Sequence, residues 1–114
     1  MVTSNALARK LESICVKGGM KQRDIALLLD TKAETVSRWN QGKNYPHPNT
    51  EQLLLELEYI IDQLSDFYEP SEARLWMFSP QKFLDGKKPA DLVKSGKIEF
   101  VRQLVNQLRD SVYG

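Results

Sequence analysis

The sequence predicts an all-α protein, and three observations carry that prediction. Apolar residues recur at the 3.6-residue spacing of a helix face through nearly the whole chain. Almost no stretch alternates apolar and polar residues as a half-buried strand would. Glycines and prolines fall between the periodic segments, as at Gly18-Gly19, Gly42, Pro46, Pro48 and Pro70. A chain of 114 residues makes one domain, or two small modules that share a core.

The first helix is expected to start with Thr3 or Ser4 as cap and to end at Gly18-Gly19, a pair that favours chain reversal. A second, over about 21–29, has Ile25, Leu28 and Leu29 on its inner side with Ala26 beside them. A third runs over about 32–41 and stops at Gly42. At its start Thr31 and Glu34 form the pattern Thr-x-x-Glu, in which each side chain can satisfy a free backbone donor. The stretch KNYPHPNT reads as a loop. A long helix over about 49–67 follows, with Leu53, Leu57, Ile60, Ile61, Leu64 and Phe67 on one face and Glu51, Glu58, Asp62 and Asp66 on the solvated one. From Pro70 on, the pattern gives a short helix through Trp76, a punctuated loop, and a short helix opened by Pro89 and closed near Gly96. A last helix over about 98–109 carries Val101, Leu104, Val105 and Leu108. The expected organisation is therefore residues 1–48, a connecting core helix over 49–69, and a small module over 70–114 that packs on the long helix because it is too small to fold alone.

The net charge of +1 hides a strong segregation. Residues 1–48 carry eight Lys/Arg against four Asp/Glu; residues 49–69 carry six acids and no Lys or Arg; residues 70–114 carry eight Lys/Arg against five acids. A basic first third suits phosphates, and the acidic stretch should face away from them. Cys15 is the only cysteine, so no internal disulfide and no CxxC pair exists. It lies in step with Leu7, Leu11 and Ile14, which reads as a packed thiol rather than a nucleophile. His47 is the only histidine and has no clustered ligands nearby in sequence. No catalytic triad, metal set or phosphate loop is visible, so the chain is expected to be no enzyme and to need no cofactor. No stretch approaches the roughly 20 apolar residues of a membrane span, and the opening MVTSNALARKLESIC lacks the apolar run of a secretory signal. Both point to a cytoplasmic protein.

The segment QRDIALLLDTKAETVSRWNQG meets the needs of a DNA-reading helix-turn-helix. Ala26 is small where two helices cross, Ile25, Leu29, Val36 and Trp39 fill the interior, and Lys32, Ala33, Glu34, Thr35, Ser37, Arg38 and Gln41 remain for the outside. Glu34 is assigned to capping and Trp39 to the core. The spacing Gln22, Ala26, Val36, Ser37, Trp39 and Gly42 resembles the Xre/Cro family of bacterial and phage regulators. That family usually has glycine and an aliphatic residue in the turn, where this chain has Asp30 and Thr31; aspartate tolerates the left-handed conformation better than most residues. The resemblance implies that Gln22, Arg23, Asn40, Lys43 and Asn44 hold phosphates. It also implies that Lys32, Thr35, Ser37 and Arg38 face bases, with Arg38 the candidate for guanine. A short recognition helix reads few base pairs, so double-stranded operator DNA should be bound by a homodimer.

Residues 73–114 resemble the toxin-binding domain of the Xre/MbcA/ParS antitoxins. The resemblance rests on Trp76, Ser79-Pro80, Leu84, the run Gly86-Lys87-Lys88-Pro89 with Asp91 and Leu92, Leu104, and the ending Val112-Tyr113-Gly114; glycine is usual where Asp85 stands. It implies an all-α protein with an Xre/Cro-like helix-turn-helix bundle and a small helical toxin-binding module. By the same resemblance the chain binds a RES-type toxin, an NAD-degrading enzyme, represses its own operon, and contacts the toxin through Trp76, Lys87, Lys88, Val112, Tyr113 and Gly114. The residues themselves leave alternatives open. Val112 and Tyr113 either meet a partner or close the last helix, and the Gly-Lys-Lys loop is either a basic contact or a solvated turn. A transcription regulator without a toxin, its second module serving dimerisation, fits the same pattern.

Overall fold

A computed structural model describes the backbone of residues 2–113 and the side chains of residues 6–112. Among the described residues there are seven α-helices and no strand: α1 Val2–Gly18, α2 Gln22–Leu28, α3 Ala33–Asn40, α4 Pro48–Leu64, α5 Pro70–Met77, α6 Pro89–Lys94 and α7 Ile98–Tyr113. A 3-10 turn, Lys82–Leu84, stands between α5 and α6. The expected fold class and element order are as observed. α1 already includes positions 3 and 4, and the side chains of Thr3 and Ser4, to which a cap was assigned, lie outside those described.

Proline opens α4, α5 and α6, where its fixed φ suits the first turn and its missing N–H costs no bond. The boundaries differ from the sequence reading where side-chain capping decides them. Thr31 does not cap α3: its amide donates to the carbonyl of Ala26 at 2.8 Å, closing the end of α2, and the N-cap falls one residue later at Lys32. The Thr31–Glu34 box therefore does not form. One half of such a box appears elsewhere, with the Asp24 carboxylate accepting from the Lys21 amide at 2.9 Å and Glu72 from the Glu69 amide at 2.8 Å. α4 is capped by His47, whose Nδ1 accepts from the Asn49 amide at 3.1 Å, and it stops at Leu64, short of Phe67. There the Leu64 carbonyl takes the amides of both Phe67 and Tyr68 in a tightened last turn. α7 continues past Arg109 to Tyr113.

The turn between α2 and α3 is made by Asp30 in the left-handed region, φ 55°. This bears out the aspartate reading, and Asp85, φ 57°, serves the loop before α6 in the same way. At the end of α1, Gly19 has φ +61°, and a Cβ there would stand 2.5 Å from the Pro70 carbonyl oxygen. Only glycine lets the start of α5 approach that closely.

One contiguous cluster of buried side chains draws on all seven helices, from Leu11 and Ile14 of α1 through Leu54, Leu57, Ile60 and Ile61 of α4 to Val101 and Val105 of α7. The segments 1–48, 49–69 and 70–114 share this core. α4 is the central helix, with α1 and α7 against it, while α5 packs on α1 and α6 on α2. The acids of α4 and of the turn after it are less free than a solvated face implies. Asp62 pairs with Lys17 of α1, Glu56 with Arg102 at 3.2 Å, and Asp66, just past α4, with Arg109 at 3.7 Å, both arginines on α7. Basic side chains of α1 and α7 thus clasp the acidic central stretch. These partly exposed pairs favour this docking over others more than they add stability.

Candidate functional site

Two surfaces gather the residues singled out in the sequence. The first is α2, its turn and α3. Val36 and Trp39 point into the core, as do Ile25, Ala26, Leu28 and Leu29, so the outward row of α3 is fixed by helix geometry. That row is Glu34, Ser37, Arg38 and Gln41, tied together by Arg38 Nη2 donating to Glu34 at 3.4 Å and Gln41 Nε2 donating to the Ser37 hydroxyl at 3.3 Å. Glu34, assigned to capping, is instead an exposed partner of Arg38. Gln41, placed among the outward residues but given no role, lies squarely in the row; the one-per-100° rotation of a helix was the signal for it. Thr35 is half-buried at the side, and Lys32, the N-cap, is exposed.

Gln22 and Arg23 open α2, Gln22 half-buried and Arg23 exposed. Asn40 at the end of α3 and Lys43 and Asn44 beyond it are all exposed, and the Asn44 side-chain Oδ1 accepts from the Tyr45 amide at 3.0 Å. All nine of these candidates therefore lie on or beside one helix pair. The Glu34–Arg38 contact is an exposed i,i+4 pair that holds the guanidinium by a few tenths of a kcal/mol, so Arg38 can leave it for a better acceptor at little cost.

The second surface belongs to α5, the following loop and α6. Lys87 and Lys88 are exposed there, Lys88 as the N-cap of α6. Trp76 is different: at 8% exposure it is part of the core, with only an edge reaching a depression lined by Tyr68, Glu72, Leu75, Ser79 and Gln81. Trp76 occupies the inward position on α5 with Ala73 and Met77, so that edge is the part of it open to a partner. Val112 is 57% exposed on the last turn of α7. The Tyr113 side chain and Gly114 lie outside the described residues.

Between the two surfaces sits a side-chain pair that the sequence did not signal. Asp24 of α2 is the one buried charged residue among those described. It receives Arg74 of α5 through Nη2 at 3.0 Å and Nε at 3.3 Å. The same guanidinium lies 4.9 Å from the centre of the Phe78 ring. Burial alone would push the Asp24 carboxyl up, but the hydrogen bonds from Arg74 and the Lys21 amide, with the charges of Arg74 and Arg23, outweigh it and hold it below its ordinary value. Arg74 is raised in turn, first by its hydrogen bond to Asp24. Cys15 is partly buried against the core, and burial, then Asp24 and Glu12, push its thiol up, so it stays protonated and unreactive at neutral pH. His47 is accounted for by its cap. Among the described residues no three His, Cys, Asp or Glu side chains are grouped to hold a metal ion, and no helix is long and apolar enough to cross a membrane.

Comparison with known proteins decides the family. Residues 66–110 match the Antitoxin Xre/MbcA/ParS C-terminal toxin-binding domain. Over 109 residues, 96% of this chain and 96% of the relative, the sequence is 31% identical to the mycobacterial cidal antitoxin MbcA of Mycobacterium tuberculosis and of Mycobacterium bovis. The chain belongs to the Xre/MbcA/ParS antitoxin family. A probable mycobacterial cidal antitoxin of M. tuberculosis is 27% identical over 83% of this chain and 81% of its own length. The fold agrees: a chain of the crystal structure of the M. tuberculosis MbcT-MbcA toxin-antitoxin complex superposes with a TM-score of 0.80 at 31% identity, covering 93% of this chain and 96% of that one. The stretch matching the Xre/MbcA/ParS domain runs from the turn after α4 through most of α7. It contains Arg74, Trp76, Lys87 and Lys88, while Val112 lies just beyond it.

Proposed function

We propose that this chain is the antitoxin of a toxin-antitoxin pair, that it binds and inhibits a RES-type, NAD-degrading toxin through residues 70–114, and that it represses its own operon as a homodimer by laying α3 in the DNA major groove. The observation that carries the antitoxin reading is end-to-end similarity to MbcA, 31% identity across 96% of both chains, together with the likeness to a chain of a toxin-antitoxin complex. The DNA reading rests on the exposed polar row of α3 flanked by Arg23, Lys32 and Lys43, held rigid by a buried apolar inner face. In this reading Arg38 exchanges Glu34 for a guanine edge, with Ser37, Thr35 and Lys32 beside it, while Gln22, Arg23, Asn40, Lys43 and Asn44 hold phosphates. The toxin contact is assigned to Trp76, Lys87, Lys88, Val112, Tyr113 and Gly114.

Co-expression with the product of the adjoining toxin gene tests the first half. Growth and cellular NAD should be restored by this chain, and failure to restore either rejects the antitoxin role or the NAD chemistry respectively. Footprinting on the promoter tests the second half: two protected half-sites with centres about 34 Å apart, or a multiple, are expected for a dimer, and a single isolated half-site rejects it.

A further inference from the structure

The 3-10 turn between α5 and α6 sends neighbouring residues in opposite directions. Leu84 turns inward and packs against the core, whereas Phe83 leaves 77% of its surface in water, more than any other large apolar side chain described. The turn is well tied. Gly86 donates to the Gln81 carbonyl at 2.9 Å, Gln81 donates back to the Lys87 carbonyl at 3.0 Å, and the Gln81 side chain donates to the Trp76 carbonyl at the end of α5 at 3.0 Å. A depression of about 200 Å³ lies beside it, lined by Leu84, Asp85, Lys87, Leu92, Lys97 and the half-exposed Phe100.

Charge supplies the second observation. Residues 82–97 carry five lysines, at 82, 87, 88, 94 and 97, against two aspartates. All five are exposed, and among the described residues none is in the ion pairs that engage Lys17, Arg74, Arg102 and Arg109. An exposed phenyl on a tied turn that also borders an open depression, with unpaired ammonium groups along the same stretch of chain, has the layout of an interface anchor with a polar rim.

We propose that this face, with Phe83 as anchor, docks an acidic protein surface that offers an apolar pocket rimmed by carboxylates, and that this surface is the toxin's. The proposal rests on the antitoxin reading above and adds to it a contact separate from the end of α7. A nucleic-acid duplex fits less well, since phosphates reward lysines but give an exposed phenyl nothing to bury against. The hydrogen-bonded turn presents Phe83 already ordered, so little conformational freedom is lost on docking. The lysines, at the edge, speed encounter more than they hold the complex.

The test is binding of the full-length chain to the purified product of the adjoining toxin gene. The wild-type chain must form the complex; if it does not, the antitoxin reading and this proposal fall together. Given that complex, Phe83→Ala should weaken it by about 30-fold or more, with melting temperature and operator affinity unchanged because the ring touches little of its own chain. Lys87→Glu with Lys97→Glu should slow association and flatten its dependence on salt. A wild-type complex that Phe83→Ala weakens by less than twofold overturns the proposal and leaves the antitoxin reading standing. Loss of operator affinity in place of toxin affinity assigns the face to DNA and overturns it as well.

Discussion

The Asp24–Arg74 pair is where one substitution should be felt by both halves of the chain. Asp24 has a side-chain exposure of 9% and accepts three hydrogen bonds, one from the Lys21 amide and two from Arg74, whose own side chain is 44% exposed. Arg74→Met keeps the stem that packs across the α2–α5 contact but strands a buried carboxylate. A fully buried pair broken this way costs about 3–5 kcal/mol; with the arginine end half in water, about 2–3 kcal/mol is expected. Asp24→Asn retains one oxygen for the Lys21 amide but loses the charge and the second oxygen that accepts from Arg74, for about 1–2 kcal/mol. Urea unfolding of both single variants and the double variant gives the coupling directly, and about 1–2 kcal/mol should appear. Because the folded-state carboxyl is held below its ordinary value of 3.8, its contribution is complete above that value and is lost as pH falls through the lower, folded one. The gap in stability between wild type and Asp24→Asn should therefore be full at pH 7 and shrink below about pH 4. A coupling under about 0.3 kcal/mol, or a gap that persists unchanged at low pH, would refute the reasoning.

Other perturbations follow from single features of the structure. Gly19→Ala places a methyl against the Pro70 carbonyl at a positive φ and should lower stability by about 2–4 kcal/mol, seen as a drop in melting temperature. Asp30→Gly and Asp85→Gly relieve left-handed strain at a non-glycine residue, and each should raise stability by up to about 1 kcal/mol, read from the urea midpoint. Arg38→Ala should cost about 1–3 kcal/mol on operator DNA and relax preference at one position, whereas Lys43→Ala should weaken all sequences alike and reduce the salt slope by about one. Equal effects on operator and random DNA would show Arg38 to be no reader. Deleting residues 111–114 should weaken toxin neutralisation while leaving operator affinity intact, because they lie far from α2 and α3 in the chain; loss of both in growth-rescue and binding assays would instead make them part of the core.

Helix faces were legible because burial repeats with the helix. Ile25, Ala26, Leu28, Leu29, Val36 and Trp39 were all read as inward and all are buried. The left-handed turn was legible too, since few residues other than glycine tolerate it and Asp30 is one of those few. Caps were not, because several polar residues near a helix start compete for the same amides. Thr31 was read as the cap of α3, but its amide closes α2 on the Ala26 carbonyl and the cap falls to Lys32. The inward turn of Trp76 was not legible, because a family motif shows that a tryptophan belongs at a position without showing which way it faces. Asp62 and Asp66 looked solvated because their partners, Lys17 and Arg109, stand more than forty residues away in the chain, a distance over which sequence pattern carries no signal.

Those same long-range pairs bear on how one small chain offers two surfaces. α2, which opens the helix pair proposed to face DNA, is bound to α5 by Asp24–Arg74 and has α6 packed on it, while the close approach of Gly19 to Pro70 sets the distance between the end of α1 and the start of α5. Every one of these contacts joins residues 1–48 to residues 70–114 directly, without passing through the central helix. The outward row of α3 and the Phe83 turn are therefore held in one frame, and Arg74, at the junction, stands on the same short helix whose carboxyl end ties down that turn through the Trp76 carbonyl. A partner bound at the turn meets α2 at a distance fixed by packed side chains, so its bulk relative to the DNA follows from the fold itself and needs no conformational change in this chain.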